Sequence, residues 1–163
     1  ITVEAVQGAT GYQIYRKKGS KVTMIGQTSG TVFLDQNPVS GKSSYYAKAI
    51  KGSLTGKEGS AKKITLPKAT TKVTAKAKTD KTVVLSWKKV KGATGYLVYR
   101  STKKNGSYQR IAVLKKGTKC TYTDKKGLKK GMKYHYRIVT VKKKTYSPAK
   151  TTKAVKIKAA KKK

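Results

Sequence analysis

The sequence is poor in the side chains that do covalent chemistry. It has one cysteine, Cys120, and one histidine, His135. A lone cysteine excludes an intrachain disulfide. A structural zinc site takes four Cys or His ligands in all, and this chain has two such residues. Acids are almost as scarce: Glu4, Asp35, Glu58, Asp80 and Asp124 stand against 41 lysines and arginines. A glycosidase needs two carboxylates facing each other across a bond, and no pair of these acids promises that. P-loop, dinucleotide and calcium-loop signatures are missing. No apolar run approaches the roughly 18 residues that cross a membrane, and no long stretch carries the apolar stripe of a helix. Ile1-Thr2-Val3-Glu4 is not a signal peptide and reads as a position inside an element. The sequence therefore points away from catalysis and cofactors.

What is abundant is tyrosine, valine, threonine and lysine. The first three favour strands. A repeat then sets the architecture. Val6-Gln7-Gly8-Ala9-Thr10-Gly11-Tyr12-Gln13-Ile14-Tyr15-Arg16 returns as Val90-Lys91-Gly92-Ala93-Thr94-Gly95-Tyr96-Leu97-Val98-Tyr99-Arg100, 84 residues on. Phe33-Leu34-Asp35 answers Tyr122-Thr123-Asp124 at 89, and Ile64-Thr65-Leu66 answers Val155-Lys156-Ile157 at 91. Growing offsets mean loop insertions in the second copy. Two modules follow, 1–66 and 67–163, joined at Leu66-Pro67-Lys68-Ala69-Thr70, where proline stiffens the joint. Ile1 aligns with Leu85, so the first strand of module one and part of its second are expected to fall outside the chain.

The second copy parses into seven short strands. Val73, Ala75 and Ala77 alternate with polar residues, as do Val83, Leu85 and Trp87. Tyr96, Val98 and Arg100 form a third strand. Lys104-Asn105-Gly106-Ser107 predicts a tight hairpin, because Asn-Gly tolerates positive φ. Tyr108–Leu114 is the return strand. Thr121–Asp124, Tyr134–Val141 and Lys153–Ala159 complete the set. This spacing is that of an all-β sandwich.

Leu85-Ser86-Trp87, Gly95-Tyr96-Leu97-Val98-Tyr99-Arg100, Tyr122-Thr123-Asp124 and Leu128 through Tyr136 resemble the landmarks of fibronectin type III domains. The resemblance implies two tandem immunoglobulin-like β-sandwiches. Strands A, B and E would form one sheet, and C, C′, F and G the other. It implies an inward set of Leu85, Trp87, Tyr96, Val98, Ile111, Tyr122, Leu128, Tyr134, Tyr136, Ile138 and Val155. Leu128, Gly131 and Tyr134 would form the tyrosine corner, with the Tyr134 hydroxyl bonded to backbone upstream. In module one, Gly41-Lys42-Ser43-Ser44-Tyr45-Tyr46 aligns with this corner in more than one register. The lysine-rich style resembles modules on secreted proteins and carbohydrate-active enzymes of Gram-positive gut bacteria.

Single residues read as follows. Asp35 and Asp124 occupy equivalent positions and read as turn caps. His135, between Tyr134 and Tyr136, faces out by alternation as an exposed imidazole. Cys120 is an ordinary residue bordering strand E, with no base beside it. Tyr108 and Tyr146, near strand ends, are candidates for stacking on a sugar ring.

The formal net charge is +36, of which residues 1–66 carry +7 and residues 67–163 carry +29. Such a charge favours solubility and attracts polyanions. In module two, Lys88, Lys89 and Lys91 occupy the B–C loop and Lys142, Lys143 and Lys144 the F–G loop, which share one end of the sandwich. Lys103, Lys104, Lys125, Lys126, Lys129 and Lys130 fall at the other end. Lys156 and Lys158 line a terminal strand, where lysine discourages edge pairing.

These features predict a monomeric, non-catalytic extracellular spacer and attachment module of a larger secreted or surface protein. Its basic second module and Lys161-Lys162-Lys163 tail would hold it to anionic cell-wall polymer or glycan. The alternative is a specific adhesin or carbohydrate-binding module. Non-specific nucleic-acid binding in vitro is expected from charge alone, but only four arginines and no nucleic-acid motif speak for base reading.

Overall fold

The computed structural model describes residues 1–157, and all regular structure among them is strand. The chain divides into two compact units, Ile1–Leu66 and Pro67–Lys163. Lys158, Ala159 and Lys161 to Lys163 lie outside the described residues. No helix among the described residues is long and apolar enough to cross a membrane.

Module one is one antiparallel sheet. It comprises β1 (Gly11–Lys18), β2 (Lys21–Thr28), β3 (Gly41–Lys51), β4 (Leu54–Glu58) and β5 (Lys62–Leu66). The order is β2-β1-β3-β4, with β5 also paired to β3. The facing layer is a single bridge, Thr2 with Val32, closed by Val3 N–H donating to Thr31 O at 2.7 Å and Phe33 N–H to Ile1 O at 2.9 Å. Alternation along β1 puts Tyr12 and Ile14 inside. Phe33 presses onto the sheet at Gly26. A Cβ there would stand 2.7 Å from the Phe33 ring, and φ is +153°, so glycine is the residue that fits.

Module two has both layers. β6 (Thr74–Thr79), β7 (Thr82–Ser86) and β10 (Thr121–Asp124) form one sheet in the order β10-β7-β6. β8 (Gly95–Ser101), β9 (Gln109–Leu114) and β11 (Lys133–Lys142) form the other, with β12 (Thr145–Tyr146), β13 (Lys150–Thr151) and β14 (Val155–Lys156) along β11. The core between them contains Val83, Leu85, Trp87, Tyr96, Val98, Leu114, Tyr134, Tyr136, Ile138, Val155 and Ile157, all buried. Ile111, Tyr122 and Leu128 are half-buried and packed against it. Trp87 meets Tyr96 edge-on, ring centroids 5.3 Å apart.

Three expectations need correction. The last strand, expected over Lys153–Ala159, is regular only at Val155–Lys156 among the described residues of that range, and pairing along β11 begins earlier, in β12 and β13. The break between β12 and β13 falls at Ser147-Pro148, where Pro148 has no N–H to donate and Ser147 Oγ takes the Thr140 N–H at 2.9 Å in place of a ladder bond. Lys104-Asn105-Gly106-Ser107 is not a two-residue hairpin, since neither Asn105 nor Gly106 has positive φ. The β8–β9 connection is a longer loop instead, held by Tyr108 Oη donating to Lys104 O at 2.9 Å and Lys103 N–H donating to Ser101 Oγ at 3.2 Å. His135 is not an exposed imidazole. It is half-buried beside its β8 partner Ser101, with Nδ1 buried and unpaired.

Candidate functional site

Strand register places the loops. Thr121 pairs with Ser86 and Asp124 with Val83, so the start of β10 and the end of β7 lie at one end of module two. Gly95 pairs with Val141, and Tyr96 with Leu114, which brings the end of β11 and the end of β9 to that same end. The 87–94 loop, the β11–β12 turn and the segment 115–120 therefore converge there. Side chains and backbone confirm the contact. Thr94 N–H donates to Val141 O at 2.8 Å, and Lys143 N–H donates to Thr94 Oγ1 at 3.1 Å. A Cβ on Gly92 would stand 3.3 Å from Lys142 Nζ, and one on Gly117 would collide with the Ala93 carbonyl.

This end carries Lys88, Lys89, Lys91, Lys142, Lys143 and Lys144, all exposed. The third loop adds Lys115, Lys116 and Lys119, also exposed. Sequence reading missed those three because nothing local shows that 115–120 folds against the 87–94 loop. The acids lie elsewhere. Asp80, in the β6–β7 turn, sits 3.1 Å from Lys130 Nζ, and Asp124 sits 2.9 Å from Arg100 Nη1. Those are the two acids of module two, so none faces the three loops.

One lysine of this end holds an unfavourable backbone. Lys143 has φ 55°, the left-handed region where a Cβ costs roughly 1 kcal/mol. Module one has Gly52 at the equivalent turn position, with φ 58°.

The tyrosine candidates diverge. Tyr146 is 53% exposed on β12. Tyr108 is half-buried, and the Arg137 guanidinium lies 3.9 Å from its ring centroid, covering one face. Cys120 is half-buried against the core, its thiol donating to Tyr96 Oη at 4.0 Å.

Both aspartates at strand ends anchor the same cluster. Asp124 Oδ2 accepts from Arg100 Nη1 and from Tyr136 Oη, each at 2.9 Å, and Oδ1 accepts from the Lys126 N–H at 3.3 Å. In module one Asp35 accepts from Arg16 Nη1 at 2.7 Å, Tyr45 Oη at 2.9 Å and the Asn37 N–H at 2.9 Å. Each carboxylate caps its turn and neutralises a largely buried arginine. Burial, and then the neighbouring carboxylate, push the phenol pKa values of Tyr136 and Tyr45 above the ordinary value. These acids are committed to structure.

Tyr134 shows what kind of sandwich this is. Its Oη accepts from the Lys129 N–H at 3.0 Å, five residues upstream, which is a tyrosine corner. The fibronectin type III domain model matches residues 67–155. The chain belongs to the fibronectin type III family.

Among solved structures, a Fn3-like protein from Clostridium thermocellum is 26% identical at TM-score 0.50, the match covering 60% of this chain and 100% of that one. The two-domain fibronectin type III segment of chicken tenascin is 18% identical at TM-score 0.50, with 93% and 87% covered. The chicken CNTN1 FN1–FN3 domains are 17% identical at TM-score 0.50, with 91% of this chain and 56% of that chain covered. The two chicken likenesses show the fold, and this chain spans 56% of the CNTN1 segment. No curated protein matches the sequence. Fibronectin type III domains are in general non-catalytic and typically extracellular.

The registers also place the fibronectin landmarks in module one. Arg16 pairs with Tyr45 as Arg100 pairs with Tyr136. Tyr45 is thus the counterpart of Tyr136, and Ser43 stands where module two has the corner residue Tyr134. Module one has no tyrosine corner at this position.

Proposed function

We propose that this chain is a non-catalytic extracellular spacer and attachment segment whose second module holds it to anionic polymer. The observation that carries this reading is the acid-free end of module two, where nine exposed lysines from three loops converge. Lysine ammonium groups on flexible stems present point charges without a shaped fork. They suit a dense run of phosphates or carboxylates better than one small ligand. The left-handed Lys143 supports the reading, because the turn keeps a charge where glycine would be less strained. The likeness to a Fn3-like protein from Clostridium thermocellum supports a bacterial setting; anionic wall polymer as the partner rests on the lysine charge alone.

The test is sedimentation of the full chain with purified teichoic acid across a salt series. The logarithm of the binding constant should fall linearly with the logarithm of salt concentration, the behaviour of counterion release. Replacing Lys88, Lys89, Lys91, Lys142, Lys143 and Lys144 by serine should flatten that slope and weaken binding at least about tenfold. Double-stranded DNA should compete for the same charges. Equal binding by the wild type and the six-serine variant refutes the site.

A further inference from the structure

One side of module one carries no charge. Val22 through Leu34 are thirteen consecutive residues without a charged side chain, the longest such run in a chain of formal charge +36. The run comprises β2 after Lys21 and the segment that bridges to Thr2. Its two parts lie together. Phe33 packs on Gly26, and Thr28 Oγ1 donates to Val32 O at 3.2 Å. Val22, Met24, Val32 and Leu34 are exposed along it, Met24 at 48% and Leu34 at 71%.

Module two shows how differently the same side can be built. Tyr15 pairs with Met24 as Tyr99 pairs with Arg110, so Met24 is the counterpart of Arg110. The Thr2–Val32 bridge repeats the Ser86–Thr121 pair, so Val32 and Leu34 stand where module two has Thr121 and Thr123. Over the matching stretch, from Tyr108 to Thr123, module two carries Arg110, Lys115, Lys116 and Lys119. All four cations are gone in module one, and two threonines have become aliphatic. A cation on an edge strand discourages pairing with another chain. Both edge strands carry a bulge at the same place, between Ile14 and Tyr15 and between Val98 and Tyr99. Charge therefore distinguishes the two edges, and the backbone does not. Among the described strands β2 pairs with β1 alone, so its outer row of N–H and C=O groups has no ladder partner.

We propose that β2 is the contact through which two copies of this chain pair, antiparallel and about a two-fold axis. A partner recognised by charge is drawn to the lysines and not to this side. Repulsion between two polycations is least where neither presents a charge. A two-fold axis at the middle of β2 sets Lys21 of each copy against Thr28 of the other, so like charges do not oppose each other across the ladder. The same apolar side chains then meet from both copies, as isologous pairing requires. Pairing uses the edge of both copies and closes at the dimer. The contact is small beside a standard interface, which puts the dissociation constant on the order of 100 µM. A weak dimer replaces the expected monomer.

The experiment is sedimentation equilibrium of the full chain from about 10 µM to about 1 mM, in sodium chloride from about 0.05 to about 0.5 M. A monomer–dimer equilibrium should appear and strengthen severalfold as salt rises, because salt screens the repulsion between the copies. That sign is opposite to the one expected for polyanion binding, so the two readings fail separately. Met24→Arg gives β2 the residue of module two and should weaken the dimer at least about tenfold. Leu34→Lys should weaken it severalfold. Val113→Lys charges the exposed edge of β9 in module two and should leave the dimer unchanged. Amide hydrogen exchange from Val22 to Gln27 should slow with concentration in the wild type and not in Met24→Arg. A monomer at every concentration, a dimer that weakens with salt, one that survives both Met24→Arg and Leu34→Lys, or one that Val113→Lys abolishes overturns the inference.

Discussion

Removing the Asp124 carboxylate should cost module two more than any single surface change. Its oxygens neutralise Arg100, accept the Tyr136 phenol and cap the turn at Lys126. Asp124 is 1% exposed, and the Arg100 side chain is 18% exposed. Asp124→Ala leaves a largely buried guanidinium without a counter-charge and a buried phenol without an acceptor. Breaking a buried pair in this way costs about 3–5 kcal/mol. Trp87 is the sole tryptophan and lies in the module two core, so its fluorescence follows this module through a urea titration. For a domain of this size the slope is roughly 1–2 kcal/mol per molar urea, so the midpoint should fall by about 2 M. Replacing the whole cluster by Arg100→Met, Asp124→Leu and Tyr136→Phe should cost less than Asp124→Ala alone, because no stranded charge remains. A loss below about 1 kcal/mol for Asp124→Ala would mean that water replaces the carboxylate at no great cost, and the reasoning would fail.

Three further outcomes follow from the geometry. Lys143→Gly should stabilise module two by about 0.5–1 kcal/mol in the same titration while weakening polyanion binding, since the left-handed turn then carries no Cβ and no charge. Tyr134→Phe should cost about 1–2 kcal/mol by leaving the Lys129 N–H without its acceptor. The raised pKa of Tyr136 has a definite sign. Its stabilisation is fully present below the unfolded value near 10 and is lost as pH rises beyond it, because the unfolded chain then releases a proton that the folded one keeps. Relative to Tyr136→Phe, the wild type should lose up to about 1.4 kcal/mol per pH unit above 10. Comparing the two proteins cancels the titration of the lysines, and equal pH dependence would show that Tyr136 ionises freely when folded.

Much of the architecture was legible because β-structure writes its pattern locally. Alternation at Val83, Leu85 and Trp87 and the repeated Gly-Tyr-x-x-Tyr-Arg stretch follow from side chains pointing to opposite faces of a strand. The matching offsets of Asp35 and Asp124 marked both as turn caps, and both cap their turns. Their partners were less legible. Arg100, Asp124 and Tyr136 sit on three strands in two sheets, and no spacing in the chain announces that they meet. His135 misled simple alternation for a related reason. Pointing away from the core does not mean pointing into water when the neighbouring strand supplies Ser101 beside it.

The candidate sites divide in the same way. Sequence alone determined that module two is strongly basic, that Cys120 has no cysteine to pair with, and that the B–C and F–G lysines belong to loops, because composition and periodicity are properties of the chain itself. Only the tertiary structure decided that Lys115, Lys116 and Lys119 join those loops, and that Ser43 occupies the place of Tyr134. Those are facts of cross-strand register. Hydrogen bonds between strands distant in the chain set the register, and a shift of one residue would turn every side chain to the opposite face.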